Sequence, residues 1–491
     1  MRVIIVGAGR TGMQLARRLV QEKHDVTLIE SNEERARHAS NRLDCMVLHD
    51  EGNSLTALQE AGIAKAEALV CVTDSDEVNM IICGLAASKY PELSKTARVR
   101  NNDYVRLNQN ARNKGILRDS SGKRSAVLGI DYFVHPDIET AKAVLRSLSH
   151  GAMGNILDFA GTSYELGSIK VVEGSSFDGM CLIDYHSIVS VDSLITLVEK
   201  EDASSVECFF PTGTTVLEKG DRIHILAPEA QMEQIFRHAG YNEKPLRHIG
   251  IVGGGHIGAL IAEEILESEK GEKKKTGLFS MYSSLMSKSS RQVLIIEQNY
   301  QICKELSARF PEALILNEDI SDESFVAEER IGDLDLIITA TTNQELNIIA
   351  AIYLKSLGVR RAIAMVNGSG HVKIARQLGV DVVIPMQTVL VDSILSNLMD
   401  RSIREVHSLG DGEQEIFETE IREDSPAAEK PITEFKLSKG GLIMLVNREK
   451  TSFIPRGDYI FKAGDKLIFI AKSGSEAELV KFFDSPKGRE A

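Results

Sequence analysis

Val3-Ile4-Ile5-Val6-Gly7-Ala8-Gly9-Arg10-Thr11-Gly12 opens this chain, and Ile249-Gly250-Ile251-Val252-Gly253-Gly254-Gly255-His256-Ile257-Gly258 repeats it near the middle. Each stretch is a short apolar strand running into Gly-x-Gly-x-x-Gly, followed by helix-forming residues. That order reads as strand, tight turn and helix, the start of a nucleotide-binding α/β unit. Because the unit occurs twice, the duplication has to be mapped before anything else.

The repeat extends well beyond the glycines. Val26-Thr27-Leu28-Ile29-Glu30 returns as Val293-Leu294-Ile295-Ile296-Glu297, a second strand ending in a carboxylate. Thr73-Asp74-Ser75-Asp76-Glu77-Val78-Asn79 returns as Thr341-Thr342-Asn343-Gln344-Glu345-Leu346-Asn347. The stretch from Pro211 to Asp221, with Gly213 and Gly220, is echoed from Pro455 to Asp465, with Gly457 and Gly464. The numbering offset is 246 at the glycines, 267 at the carboxylates, 268 at the threonines and 244 at the prolines. The second half therefore holds an insert before Glu297, placed by its Lys- and Ser-rich composition at 268–291. The first half holds extra residues between Asn79 and Pro211, and 113–125 reads as a polar surface loop.

A chain of 491 residues implies several domains. The expected architecture is α/β: two doubly wound, Rossmann-like parallel-sheet domains, each followed by a small α+β module. The boundaries expected are 1–140 and 141–235 for the first lobe and its module. For the second they are 246–395, carrying the 268–291 insert, and 403–488. The longest apolar runs fall short of the roughly 20 residues that span a bilayer. The six cysteines form no C-x-x-C pair and no His/Cys ligand cluster, which points to a reducing cytoplasmic setting without structural metal. A net charge of −14 argues against clustered phosphate contacts to nucleic acid and against lying on an anionic membrane. Contact with a membrane would then go through a protein partner.

The first glycine loop carries the chemistry. Gly7 permits the turn, Gly9 lets the backbone approach a pyrophosphate, and Gly12 allows close helix–strand contact. Ala8, Arg10 and Thr11 complete a loop whose following helix offers unpaired N–H groups and a positive dipole end to phosphate. Glu30 stands where a carboxylate accepts hydrogen bonds from an adenosine ribose and repels a 2′-phosphate, favouring NAD(H), ATP or ADP over NADP(H). Thr73 and Asp74 fall at the carboxyl end of a buried strand, Ala68 to Val72, where open α/β sheets bind ligands. Arg98 and Arg100 alternate along another strand and so share a face. They are either a phosphate clamp or a surface salt bridge to Asp74, Asp76 or Glu77. The second site keeps Gly253, Gly255, Gly258, Glu297 and Thr341, while His256 and Ile257 replace Arg10 and Thr11. Met365 and Asn367 replace the two arginines there, so its phosphate contacts should be weaker. Asp221 and Asp465, in Gly-Asp pairs ahead of strands, read as turn residues rather than ion ligands.

These residues together make the chain resemble the TrkA family, the peripheral regulatory subunits of bacterial Trk potassium uptake built from tandem RCK (KTN) domains. The resemblance covers nearly the whole length. It rests on the glycine loop and Glu30, on Val72 to Asn79, on Ala97-Arg98-Val99-Arg100 through Asp103-Tyr104-Val105, on Gly129 to Pro136, and on the repeated Pro-x-Gly and Gly-Asp pattern of both small modules. The family often has Gly-Asp or Gly-His after the third strand. Here His49-Asp50 and Asn317-Glu318 stand, making Asp50 the nearest equivalent.

The resemblance implies a non-enzymatic, nucleotide-sensing gating subunit on the inner face of the cell membrane. Its partner would be a membrane-embedded potassium-translocating subunit of the TrkH type. The lobes would assemble into a ring, with four chains giving a homotetramer of eight lobes. Family behaviour also makes Arg10 a candidate to reach a neighbour's bound nucleotide, and the small modules candidates for dimerisation. The competing readings are an NAD-dependent oxidoreductase with paired Rossmann domains and a regulator of a potassium/proton antiporter.

Overall fold

The computed structural model describes residues 1–21, 23–105, 127–149, 155–159, 161–201, 206–241, 246–269, 291–398, 403–409, 414–436, 440–449 and 451–483. The polar loop expected at 113–125 and residues 270–290 of the expected insert lie outside these.

The first lobe is a six-stranded sheet in the order β3-β2-β1-β4-β5-β6. Its strands are β1 (Arg2–Val6), β2 (Asp25–Glu30), β3 (Met46–His49), β4 (Ala68–Cys71), β5 (Ser94–Arg98) and β6 (Tyr132–Val134), all paired in parallel. Val3, Ile4, Ile5, Leu69 and Val70 are all fully buried, as strands covered by helices on both faces require. The strand order changes direction between β1 and β4, so the sheet's switch point lies at their carboxyl ends, where Gly7 meets Thr73.

After this lobe comes an antiparallel sheet in the order β10-β9-β11-β8-β7. It comprises β7 (Asn155–Asp158), β8 (Tyr164–Lys170), β9 (Leu194–Glu201), β10 (Val206–Phe209) and β11 (Arg222–Pro228). The second lobe repeats the first, in the order β14-β13-β12-β15-β16-β17. Its strands are β12 (His248–Val252), β13 (Gln292–Ile296), β14 (Leu314–Leu316), β15 (Leu336–Thr339), β16 (Arg361–Val366) and β17 (Val382–Pro385). The last sheet, β18-β19-β22-β20-β21, comprises β18 (Ile403–Leu409), β19 (Gln414–Glu420), β20 (Gly441–Arg448), β21 (Thr451–Phe453) and β22 (Lys466–Lys472). Both doubly wound lobes and both small modules are thus present, as the duplication implied.

Helix starts are duplicated as closely as strands. Asn32 and Asn299 cap the helices after β2 and β13, their side chains accepting amide hydrogen bonds from Arg35 and from Gln301 and Ile302. Ser75 and Asn343 cap the helices after β4 and β15 in the same way.

Chain order and packing part company at the helices that follow the two large sheets. Residues 1–139 with 387–406 form one compact unit, and 140–386 with 407–491 form the other. In the first unit, Leu390, Val391, Ile394, Leu395 and Leu398 of helix Met386–Leu398 share a core with Val3, Leu15, Leu19 and Val26. In the second unit the two small modules pair with each other. Leu166, Leu197 and Leu226 pack with Ile416, Met444, Leu445 and Ile470 in one core, and Asn447 Nδ2 donates to the Gly161 carbonyl at 2.9 Å.

The Gly-Asp residues are turn builders, as expected, yet buried ones. Asp221 accepts from the Glu218 amide at 2.9 Å, and Asp465 from the Lys462 amide at 2.8 Å. Asp465 is also gripped by the Arg448 guanidinium at 2.6 and 2.9 Å. No cluster of three or more His, Cys, Asp or Glu suited to a metal occurs among the described residues, and no helix among them is long and apolar enough to cross a membrane.

A second buried charge cluster yields a pH prediction. Glu199 accepts from His224 Nε2 at 2.9 Å, with Arg222 Nε at 3.7 Å. Burial pushes the Glu199 carboxyl up, but His224, Arg222 and Arg376 outweigh it and hold it at about 2 against an ordinary 4.5. A depressed carboxyl stabilises the fold fully above its unfolded value and loses that contribution as pH falls through the folded one. Thermal melts should therefore show the difference between wild type and Glu199→Gln shrinking as pH drops from about 4.5 to about 2. A constant difference across that window would contradict the assignment.

Candidate functional site

Two glycine loops stand at equivalent places, one at the carboxyl end of the first strand of each large sheet. At the first, Gly7 has φ +106°, a conformation open to glycine, and a Cβ there would lie 3.1 Å from the Thr73 amide nitrogen. A Cβ on Gly12 would overlap the Gly7 carbonyl oxygen. Gly7 and Gly12 are thus required by the protein itself. Gly9 is different: a Cβ there would meet no described atom within 4 Å, so it faces open space. The second cleft repeats all three features at Gly253 (φ +100°), Gly258 and Gly255.

Glu30 fastens the loop. One carboxylate oxygen accepts from the Ala8 amide at 2.6 Å and the other from the Asn32 amide at 2.9 Å, with the residue 6% exposed. Glu297 does the same for Gly254 and Asn299, at 2.7 and 2.8 Å. Each oxygen keeps a further lone pair, so the carboxylate can brace the loop and still accept from a ligand hydroxyl. Packing beneath the loop differs by a compensating exchange. Ala8 shares a core cluster with Ala39, whereas a Cβ on Gly254 would collide with Leu306, which holds the place equivalent to Ala39.

The threonine at the end of β4 is held by a residue that sequence reading passed over. Asn79, fully buried, accepts from the Thr73 amide at 2.9 Å and from Thr73 Oγ1 at 2.7 Å. Its Nδ2 donates to the carbonyls of Thr73 and Arg98, at 3.2 and 2.9 Å. Asn347 makes the same four contacts to Thr341 and Met365. The signal was available: the Thr…Asn pair recurs at the same six-residue spacing in both halves. A buried amide is tolerated only when donors and acceptors are all matched, and here they are.

Beyond β4 the first cleft is basic. Arg98 Nη1 lies 3.7 Å and Arg100 Nη2 3.9 Å from Asp74 Oδ1, and Arg35 Nη1 lies 3.8 Å from Asp74 Oδ2. Of the two alternatives for Arg98 and Arg100, the structure shows the contact to Asp74: both reach its 74%-exposed side chain, at distances beyond a close hydrogen bond. One correction follows: β5 ends at Arg98, so Arg100 lies past the strand, not on it. The backbone turns there because Asp76 accepts from the amides of Arg100 and Asn101, at 2.8 and 2.7 Å. Arg98 is 12% exposed at its side chain, and its Nε is buried with no acceptor among the described residues. Arg35 is a third arginine that sequence reading missed, because helix Glu33–Ser40 gives no hint of facing β4.

Arg10 and Thr11 begin helix Arg10–Gln21, with Arg10 exposed and Thr11 buried. His256 and Ile257 begin helix His256–Glu269 in the same places, with His256 exposed. Asp50 follows β3; its amide donates to the Glu30 carbonyl at 3.2 Å, and its carboxylate accepts from the Glu51 amide at 2.6 Å. His49 and its counterpart Asn317 anchor to equivalent carbonyls. His49 Nε2 bonds the Ser31 carbonyl at 3.1 Å, and Asn317 Nδ2 bonds the equivalent Gln298 carbonyl at 2.9 Å. In the second cleft, buried Met365 occupies the place of Arg98, so that cleft offers no matching guanidinium.

Comparison with known proteins agrees with the duplicated plan. Residues 3–116 and 279–385 match the TrkA-N domain model, and residues 416–484 match the TrkA-C domain model, together more than half of the chain. A Trk system potassium uptake protein TrkA from Halomonas elongata is 27% identical over 473 residues, covering 95% of each chain. A Trk system potassium uptake protein TrkA homolog 1 from Methanosarcina mazei is 26% identical over 489 residues, covering 98% of this chain and all of that one. Among solved structures, the GsuK RCK domain superposes with a TM-score of 0.55 at 17% identity, over 98% of this chain and 94% of that one. A GsuK channel bound to NAD does so with a TM-score of 0.55 at 18% identity, over 98% of this chain and 78% of that one. At such identities the two structures establish the shared fold alone.

Replacing Asn79 by Ala should lower stability by about 1–3 kcal/mol, the cost of leaving buried amide and carbonyl groups unmatched. Hydrogen exchange should show protection lost at Thr73 and along β5, with Asn347→Ala doing the same only in the second lobe. Unchanged protection in both variants would remove the bracing role.

Proposed function

Because the chain belongs to the TrkA family, we propose that it is a non-catalytic, nucleotide-responsive regulatory subunit of a potassium-uptake system, with an adenosine phosphate held at the first glycine loop. The observation that carries this reading is the contrast within that loop. Gly7 and Gly12 are needed by the fold, whereas Gly9 faces space that no described protein atom fills. A pyrophosphate fits such a position, next to the helix N-terminus that follows.

The surrounding residues suit the same group. Glu30, braced by Ala8 and Asn32, would accept from the ribose hydroxyls and disfavour a 2′-phosphate. Arg98, with a buried Nε lacking an acceptor, and Arg100 and Arg35 around Asp74 would meet phosphate charge. Thr73 and Asp50 would line the adenosine side. NAD(H), ATP and ADP are the candidates, and a related channel carries NAD in its solved form. The second cleft keeps its glycines, Glu297 and Thr341 but has Met365 and His256 for Arg98 and Arg10. It would therefore hold a nucleotide more weakly.

The output of binding would be a shift between assembly geometries passed to a TrkH-like membrane subunit, with the chains arranged as a tetrameric ring at the cytoplasmic face. A ligand shifts such an equilibrium only through differential affinity, typically about 1 to 3 kcal/mol of coupling. Arg10, exposed at the start of helix Arg10–Gln21, or Arg98 would distinguish ATP from ADP by reaching the γ-phosphate in one state only, and Arg10 could do so across to a neighbour. Relatives named for potassium uptake across nearly their full length support this partner class.

Gly9→Val tests the site itself. It should leave the melting temperature within about 2 °C, since a side chain there meets open space, yet weaken NADH, ATP and ADP binding by more than about tenfold in calorimetric titration. Retained affinity would refute nucleotide binding at this loop. Arg10→Ala should keep adenosine affinity while erasing the difference between ATP and ADP, and a persisting difference would remove Arg10 as the sensor. Turnover of NADH with candidate substrates, followed spectroscopically, would favour the oxidoreductase reading instead.

A further inference from the structure

In the run Thr73-Asp74-Ser75-Asp76-Glu77, every side chain but one has a bonding task. Thr73 is held by Asn79, and Ser75 caps helix Asp76–Lys89 through the Val78 amide. Asp76 takes the amides of Arg100 and Asn101, and Glu77 accepts from Ser75 Oγ at 2.9 Å. Asp74 is the exception, and charge alone holds it. Arg98 and Arg100 approach one of its carboxylate oxygens and Arg35 the other, at 3.7, 3.9 and 3.8 Å. Among the described residues it is the only carboxylate within 4 Å of those three guanidinium groups.

The second lobe keeps this frame and drops the charges as a set. Thr341, Asn343 and Asn347 repeat the strand end, the helix cap and the brace. Shared contacts fix the register of the rest. The two braces donate to the carbonyls of Arg98 and Met365, and Asp76 and Gln344 take the amides of Arg100 and Asn367. Arg35 and Ile302 each stand three residues beyond the caps Asn32 and Asn299. Thr342, Met365, Asn367 and Ile302 thus replace Asp74, Arg98, Arg100 and Arg35. A carboxylate that the fold needed would persist in both copies, as Glu30 and Glu297 do. Asp74 occurs only where the arginines occur.

We infer that Asp74 is a specificity-determining residue of the first site: its carboxylate competes with ligand phosphate for the three arginines and sets the site against long, highly charged phosphate chains. The inference rests on nucleotide binding at the first glycine loop. Three guanidinium groups around one carboxylate leave positive charge in excess, so a phosphate can still pair with them. Their contacts to Asp74 are exposed and long, hence individually weak and screened by salt. The carboxylate therefore yields the arginines readily, but it stays beside the ligand and repels it in proportion to the ligand's charge. A triphosphate is penalised most and a diphosphate less. The pyrophosphate of NADH is penalised least, because a second nucleoside replaces its terminal charge. Penalising the wrong ligand serves specificity as well as rewarding the right one. Asp74 thereby limits the advantage that ATP would draw from the arginines and tilts the site towards NADH.

Calorimetric titration of the full-length chain and of Asp74→Asn with NADH, ADP and ATP tests this. The substitution keeps the side chain's shape, and at a 74%-exposed position it should leave the melting temperature within about 2 °C. At about 0.05 M salt, affinity should rise about tenfold for ATP, about threefold for ADP and less than about twofold for NADH. At about 0.5 M salt the gain for ATP should fall below about threefold, as screening of an exposed charge requires. An unchanged or lowered ATP affinity, an equal gain for all three ligands, or a gain for ATP that high salt leaves intact overturns the inference, while nucleotide binding itself stands. If neither chain binds any of the three, the glycine-loop reading fails and the inference falls with it. Should Asp74→Asn melt early, Asp74→Thr, which installs the second lobe's residue, carries the same comparison with the same overturning results.

Discussion

A carboxylate gripping two backbone amides, buried in the first lobe and half-buried in the second, is the contact on which this structure turns. Glu30 holds Ala8 and Asn32, and Glu297 holds Gly254 and Asn299, so each glycine loop is fastened to the end of the neighbouring strand. Without that grip the loop would be a turn with free backbone amides. With it, the loop keeps Gly9 and Gly255 facing outward. Two charge-assisted hydrogen bonds per carboxylate offset the desolvation of the group and leave lone pairs for a ligand.

A second brace completes the cleft from the opposite side. Asn79 and Asn347 each satisfy the end of one strand and the end of the next with a single side chain. The glycine loop, the threonine and the arginine strand are thus set against one another by side-chain-to-backbone contacts. The two clefts share this frame and differ in what stands on it. Arg98, Arg100 and Arg35 gather around Asp74 in the first, while Met365 closes the equivalent place in the second. The two halves thus share one scaffold and differ in the charge it carries.

The duplicated plan also extends to the small modules, but with a change of partner. Their sheets share one core within a single chain, built from Leu166, Leu197 and Leu226 on one side and Ile416, Met444 and Ile470 on the other. Duplication thereby supplies an internal counterpart for the apolar face that each module would otherwise leave exposed.

The strand–glycine–helix pattern and its second copy were enough to read the doubly wound sheets, since alternation of buried strand and capped helix is a local property of the chain. The clustering of Thr73, Asp74 and Arg98 at one end of the sheet was legible for the same reason: parallel strands put their carboxyl ends together. Asn79 could have been found from its repeat but not its role, because nothing local says that its amide spans two strands. Arg35 could not have been found, since its approach to Asp74 depends on how one helix lies across the sheet. The docking of helix Met386–Leu398 against Leu15 and Leu19, more than 370 residues away in sequence, was likewise decided only by the tertiary structure. An amphipathic helix advertises that it will be buried, but the surface that buries it is chosen by shape and charge elsewhere in the chain.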